Sequence, residues 1–385
     1  MFYELPHVSI AAVRAAVPAN EVRLEDEAEY YGGSLKKIAR LRATLGMDRR
    51  RICPPDVTAS DLCACAAERL LADWPGYRQK IDALVFVSQS PDWVQPATAC
   101  ELQARLDLPR TCAAFDVNQG CAGYVYGLWL AGSIITAGAG AVLLLVGDAP
   151  RIDVRNRVIA SVFGDGGSAT LLLRKPGVPV MQLGFGTDGS GFETIIVPAG
   201  QSRIPYSRRP RENADLVADI PDQAGNPWHM IDTYMDGGAV FNFTMDVVPG
   251  HLKDALRHAR LAPADIDWLI LHQANKHIVD TLAERAGFPP EKTPDSTFGR
   301  YGNLASASIP AVLCDTFSAV RDPGMTLMCG YGIGLAWGSC LCRLENLDCT
   351  PVIDFVPDPQ RPTRQQRIER WKKIFSGEIS RNDEK

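Results

Sequence analysis

The sequence predicts an α/β protein made of two similar halves packed face to face, with reactive residues at their junction. Three observations carry this expectation. Strands and helices alternate in the same order in both parts of the chain. The two copies keep one spacing, since Ile81 and Ile266 open equivalent strands about 185 residues apart and the same offset carries Cys121 to Ser306. Of 385 residues, 46% are hydrophobic and 22% charged, enough apolar material for one large core or two fused ones.

The elements follow in order. A helix is expected near 60–71, then the strand 81–87, a helix near 97–106 and a strand ending just before Cys121. The long apolar stretch 122–146 is long enough to suggest a membrane span, but Gly132, Gly138 and Gly140 interrupt it. It is better read as a core helix ending near 134–140 followed by a strand, 141–146, buried on both faces. The second copy has a helix near 241–260, the strand 266–271, a helix over 276–286, a turn-rich loop, a helix near 306–317 and the strand 326–329. This divides the chain into a half at 1–175, a half at 176–345 and a tail at 346–385.

Two segments break the symmetry. Residues 198–230 carry Pro205, Pro210, Pro221 and Pro227 with Arg203, Arg208, Arg209 and Arg211, and read as a loop inserted over the mouth of the site. The tail begins with a proline-rich linker and ends in a helix over 363–375. Ile368, Trp371, Ile374 and Phe375 give that helix an apolar face, ringed by Arg364, Arg367, Arg370, Lys372 and Lys373. It is expected to dock on its own body or on a second subunit.

Composition narrows the class of function. A net charge of -5 with no long block of one sign points away from nucleic acid and anionic membranes. The opening Met1-Phe2-Tyr3-Glu4 lacks the pattern of an export signal, and an odd count of 11 scattered cysteines suits reduced thiols, so a cytoplasmic protein is expected. Cys63 with Cys65 and Cys340 with Cys342 lack the two-residue spacer of zinc sites and lie in apolar segments, so no metal is expected.

The chemistry concentrates in four places. Cys121 stands where a short apolar strand ends, turns at Gly120 and opens into an apolar helix, a setting in which free N–H groups and the helix dipole lower a thiol pKa. His272 ends an apolar strand, where open α/β sheets place their reactive groups. Asn303 lies in a tight turn before the second half's helix. Gly330-Tyr331-Gly332-Ile333-Gly334 is a glycine-laden strand junction able to aim backbone N–H groups at an oxyanion.

These segments in this order, with Phe163-Gly164-Asp165-Gly166-Gly167-Ser168-Ala169, resemble the β-ketoacyl-acyl carrier protein synthase III branch of the thiolase superfamily from about Val8 to Leu344. The resemblance implies a duplicated thiolase-like fold, layered α-β-α-β-α with two mixed five-stranded sheets, and a homodimer. It implies a catalytic Cys121-His272-Asn303 triad, an oxyanion site from the backbone of Cys121 and of Gly332, Ile333 and Gly334, and substrates borne on phosphopantetheine as acyl-coenzyme A or acyl carrier protein, with no metal or organic cofactor. The implied reaction acylates Cys121 and condenses the acyl group with a malonyl-type thioester. Gly184-Phe185-Gly186-Thr187-Asp188-Gly189 formally fits a dinucleotide fingerprint, but 191–197 reads as a strand, so a nucleotide cofactor is not expected.

Several residues depart from the family pattern. The segment 33–46 offers Lys36, Lys37, Arg40 and Arg42 in place of the tryptophan that commonly stacks on coenzyme A. Leu304 stands where threonine is usual, and Ile333 stands where a glycine does. A specialised synthase with a non-acetyl donor is expected, in lipid or secondary metabolism. Trp93, with Val94, is a candidate for limiting the acyl pocket across a dimer, and Arg40, His277 and Arg208 are candidates for gripping a carrier or its phosphate. Two other readings stay open: an acyltransferase to an amine or hydroxyl, and a non-catalytic partner subunit.

Overall fold

A computed structural model of the chain describes residues 1–223 and 225–380, so Ala224 of the inserted loop and the last five residues of the tail lie outside the description. In chain order the main elements are β1 (Phe2–Leu5), β2 (Val8–Pro18), α1 (Leu35–Leu45), α2 (Ala59–Asp73), β3 (Ala83–Val87), α3 (Thr98–Arg105), β4 (Ala113–Val117), α4 (Gly123–Thr136), β5 (Ala141–Asp148) and β6 (Gly166–Arg174). They continue with β7 (Met181–Thr187), α5 (Gly237–Ala259), β8 (Trp268–Leu271), α6 (Lys276–Ala286), α7 (Ser308–Phe317), β9 (Gly324–Gly332), β10 (Ala336–Leu344), β11 (Asp348–Cys349), β12 (Ile353–Phe355) and α8 (Arg364–Ser376).

Two mixed sheets result. The first runs β11-β2-β6-β5-β3-β4, with β12 also on β2; the second runs β1-β7-β10-β9-β8. Every residue of β3 and β5 is buried, as their uninterrupted apolar runs require of strands covered on both faces. Helices α4 and α7 fill the layer between the sheets. Tyr124, Val125, Leu128 and Ile135 of α4 share one core with Val312 and Phe317 of α7 and with Ile270 and Met328 of the second sheet. Leu62 to Leu71 of α2 and Leu102 of α3 cover the outer face of the first sheet, while Leu252 of α5 and Leu282 of α6 cover that of the second. The α-β-α-β-α layering and the duplicated fold are therefore present, and the 122–146 stretch is a helix followed by a strand. No helix among the described residues is long and apolar enough to cross a membrane.

The five-stranded core of the first sheet is widened to seven by the tail. The backbones of β11 and β12 pair in parallel with β2, as Asp348 with Ala12 and Ile353 with Ala16. The anchor is Arg14, buried on β2, which donates to Asp348 Oδ2 at 3.0 Å and Asp73 Oδ2 at 2.9 Å while Trp74 Nε1 donates to Asp348 at 2.8 Å. At the other end of the chain β1 leaves its own half and pairs antiparallel with β7. Each sheet thus borrows an edge from the opposite end of the chain.

Three local expectations change. The 191–197 segment is a helical turn (Gly189–Thr194) followed by the two-residue strand Ile195–Ile196. Gly184 and Gly186 lie within β7, where a side chain would strike the rings of Phe2 and Trp337, so close packing accounts for these glycines. The inserted segment is a small lobe in which Ile220–Pro221 pairs with Pro227–Trp228. It docks on the loop leaving β5 through Asn156, whose amide donates to the Pro227 carbonyl at 2.8 Å, and through Arg155 paired with Asp219. Finally, α8 begins at the expected place, with Thr363 as N-cap, but buries none of its residues. Ile368, Trp371 and Phe375 stay exposed, and the start of the helix is tied down by Arg361 on Asp61 and by the Arg364 N–H donating to Asp56 at 2.9 Å.

Candidate active site

Cys121 sits in the turn between β4 and α4, two residues before the helix begins, and is 8% exposed. The turn is tight because the Gly123 N–H donates to the Gly120 carbonyl at 2.6 Å. Burial pushes the Cys121 thiol up to about 11, the charge of Asp148 adds to the rise, and backbone hydrogen bonds from Ile333 and Cys121 itself oppose it. The lowered pKa expected from the helix start is therefore outweighed by desolvation, and the resting residue is a thiol. Ile333 belongs to the turn that follows β9, so the second sheet supplies an N–H to the nucleophile of the first.

Gly332 makes that approach possible. A Cβ at this position would lie 2.9 Å from Cys121 Sγ, and the backbone there has φ +152, a conformation L side chains rarely adopt. Gly332→Ala is expected to slow acylation of Cys121 at least about a hundredfold by displacing the Ile333 donor, as loss of one oxyanion-hole donor does; time-resolved intact-mass spectrometry checks this.

His272 follows β8 and is 1% exposed. Its N–H donates to the Cys329 carbonyl at 2.9 Å, its carbonyl accepts from Tyr331 Oη at 2.8 Å, and its ring meets that of Tyr331 edge-on at 5.4 Å. Burial lowers its pKa to about 4, against a backbone hydrogen bond to Ala305 that raises it, so the imidazole is neutral at pH 7. Nδ1 has no hydrogen-bond partner. Asn303 is fixed by its backbone, its N–H donating to the Val162 carbonyl at 2.9 Å and its carbonyl accepting from Gly164 N–H at 3.0 Å. Its Oδ1 accepts from the Ala305 N–H at 2.9 Å, which assigns the oxygen and leaves Nδ2 as the donating end of the amide. Ala305 is thus bonded to both Asn303 and His272, while the 331–333 turn touches His272 and Cys121.

His251 on α5 is the other histidine held neutral, at about 4, by burial. Each binds a proton in the unfolded chain near its ordinary value of 6.5 and releases it on folding, so their contribution to stability is complete above about pH 6.5 and is lost as pH falls from there to about 4. It amounts to something on the order of 3 kcal/mol each. Thermal melts between pH 7 and pH 4 should show Tm falling over this window, and His251→Phe should reduce the slope.

Cys121, His272, Asn303, Gly332 and Ile333 gather at the seam between the halves, with Gly334 in the same turn at φ +124. The other four candidates do not join them. Trp93 is half-buried and bound through Nε1 to Glu101 of α3 at 2.6 Å, with Val94 beside it 85% exposed. Arg40 is exposed on α1, His277 is exposed on α6 and stacked on Phe241, and Arg208 is exposed on the inserted lobe. Sequence reasoning also passed over Asp148, which ends β5 and bonds to Ser306 across the seam; a carboxylate closing a wholly apolar strand was the available signal.

Comparisons with known proteins bear on the family and the fold. Sequence profiles of 3-oxoacyl-[acyl-carrier-protein] synthase III match residues 115–189 and, for its C-terminal part, 256–344. A putative 3-oxoacyl-[acyl-carrier-protein] synthase 3 of Campylobacter jejuni is 33% identical over 91% of this chain and 97% of its own. The chain belongs to the 3-oxoacyl-[acyl-carrier-protein] synthase III family. The beta-ketoacyl-[acyl-carrier-protein] synthase III of Symbiobacterium thermophilum is 32% identical over 79% of this chain and 88% of its own. The crystal structure of 3-oxoacyl-(acyl-carrier protein) synthase from Burkholderia xenovorans LB400 superposes with a TM-score of 0.83 at 34% identity, covering 92% of this chain and 99% of that one. As a synthase III relative, the chain is an acyl-transferring condensing enzyme, and the strands that carry its candidate site are those of the thiolase fold.

Proposed function

We propose that this synthase III acylates Cys121 from an acyl thioester and condenses the acyl group, with loss of carbon dioxide, with a malonyl-type thioester to give a β-ketoacyl thioester. The observation that carries this reading is the pair of neutral donors, His272 and Asn303 Nδ2, next to a cysteine supplied with the Ile333 N–H. In the first step the Cys121 sulfur attacks the thioester carbonyl, the oxyanion accepts from the Cys121 and Ile333 N–H groups, and the departing pantetheine thiolate takes the proton that Cys121 gives up. In the second, the malonyl carboxylate leaves as carbon dioxide, and the resulting enolate, hydrogen-bonded to His272 and Asn303, attacks the acyl carbon. Cys121 leaves as thiolate and regains a proton from water. A neutral imidazole suits the role because it donates without needing a counter-charge in a dry site. The scheme uses only these groups and calls for no metal or organic cofactor.

The carrier of the malonyl group in this reading is acyl carrier protein, as the names of the relatives suggest, and a cytoplasmic enzyme working among such thioesters is part of the same reading. Leu304, buried at 2% exposure against Gly166, and Ile333 beside Cys121 differ from the family pattern and support a specialised donor. Incubating the native protein with a panel of acyl-coenzyme A and acyl-carrier thioesters, then with malonyl-carrier protein, tests this by intact mass. An acyl mass removed by the malonyl thioester with release of carbon dioxide supports condensation; one removed only by an amine or alcohol would establish transfer instead, and no acylation by any donor would favour the partner-subunit reading.

We further infer a homodimer through the free edge of β4, where Phe115 and Val117 are half-buried in the single chain. An unpaired strand edge with apolar side chains is a self-pairing surface. Sedimentation at micromolar concentration should show a dimer, and Phe115→Lys should shift it toward monomer.

A further inference from the structure

One buried acid has no part in the scheme above. Asp148 is 3% exposed at the carboxyl end of β5, with no basic side chain among its hydrogen-bond partners. Its partners are all donors, and they come from two sides. Oδ1 accepts from the Gln89 N–H at 2.7 Å and from Ser88 Oγ at 3.3 Å, in the loop that leaves β3. Oδ2 accepts from the Ser306 N–H at 3.2 Å and from Ser306 Oγ, three residues after Asn303. Burying a carboxylate costs several kcal/mol unless it is fully hydrogen-bonded, so these donors are held as firmly as the acid itself.

Both groups of donors lead to the reacting residues. The Gln89 side chain occupies the space where a side chain at Gly120 would be, immediately before Cys121, together with Ile333 Cγ2. Ser306 packs so closely on the first residue of α4 that a Cβ at Gly123 would lie 3.2 Å from Ser306 Cβ. Ser306 also closes the short turn in which Ala305 bonds to Asn303 Oδ1.

We propose that Asp148 is a positioning residue of the condensation, one carboxylate that clamps the Ser88–Gln89 loop, which packs against the Cys121 turn of the first half, to the Asn303 turn of the second. The clamp sets where the Asn303 amide stands relative to the acylated sulfur, so its loss falls on carbon-carbon bond formation more than on acylation. The charge of Asp148 near Cys121 adds to the desolvation that holds the resting cysteine as a thiol.

This inference rests on the condensing reading, and one of its tests does not depend on that reading. Asp148→Asn keeps the size of the side chain but turns an N–H₂ toward donors on one side and removes the charge. Ser306→Ala removes one donor and keeps the charge. Expected results are as follows: in both variants, condensation measured by product formation falls tenfold or more while acylation by intact mass changes less than threefold. Alkylation of Cys121 by iodoacetamide moves to lower pH in Asp148→Asn and stays in place in Ser306→Ala. If acylation and condensation fall together in both variants with an unmoved alkylation profile, or if neither variant changes condensation, the clamp is overturned. Should Asp148→Asn not fold, the ratio of the two rates in Ser306→Ala decides alone. A native protein that never acylates would defeat the condensing reading, and the alkylation profiles would still show whether Asp148 governs Cys121.

Discussion

Replacing Cys121 with alanine is expected to abolish acylation completely while leaving a measurable decarboxylation of malonyl thioester. The side chain that vanishes is the only one in the scheme that forms a bond to the acyl group. The donors for the enolate are held independently of it: His272 by Cys329 and Tyr331, and Asn303 by Val162, Gly164 and Ala305. Alanine also fits, since the site is closed around the cysteine by Gly332 and tolerates loss of an atom better than gain. Intact mass after incubation with each acyl donor, alongside carbon dioxide release from malonyl-carrier protein, separates the two half-reactions. Carbon dioxide release that vanishes with the thiol would mean that the enolate site is not preformed.

Asn303→Asp should give the converse. The new side chain can still accept the Ala305 N–H through one oxygen, so the turn keeps its shape, but the donating Nδ2 becomes a second carboxyl oxygen facing the position of the enolate. Losing one donor to an oxyanion costs about a hundredfold to a thousandfold, and a negative charge in its place costs more. Condensation should fall by at least that factor at pH 7, with acylation of Cys121 changed little. Measured with the same mass and carbon dioxide assays, equal loss in both steps would show instead that Asn303 serves the architecture of the turn.

Much of this was legible in the chain because the physics is local. The strand 141–146 is apolar at every position, so it had to be central, and a cysteine, a histidine and an asparagine each sat at the end of a strand or in a turn before a helix. What was not legible depends on distant parts of the chain. Nothing in Asp348–Cys349 or Ile353–Phe355 marks a strand; two or three residues have no period, and they pair with β2, a distant part of the chain, where Arg14 holds Asp348. The thiol of Cys121 was expected to be acidic from its place before a helix, but its burial by the second half, which no local pattern reports, dominates. Trp93 was a candidate for limiting the acyl pocket across a dimer, and the bond that ties its indole to Glu101 has no mark in the sequence. The apolar face of α8 was easy to find in sequence, and its exposure in the folded chain was not.

The exchange of chain ends between the sheets has a consequence for how the protein is made. As the chain leaves the ribosome, β2 emerges well before the strands that cover its outer edge and before the carboxylate of Asp348 that pairs with its buried Arg14. The first half therefore waits, edge open, until the second half has been made, and β1 in turn must stay unpaired until β7 arrives. Neither half is a finished product on its own: a polypeptide severed between β6 and β7 would yield two pieces that each carry the other's missing border, and they should regain a native sheet only when mixed.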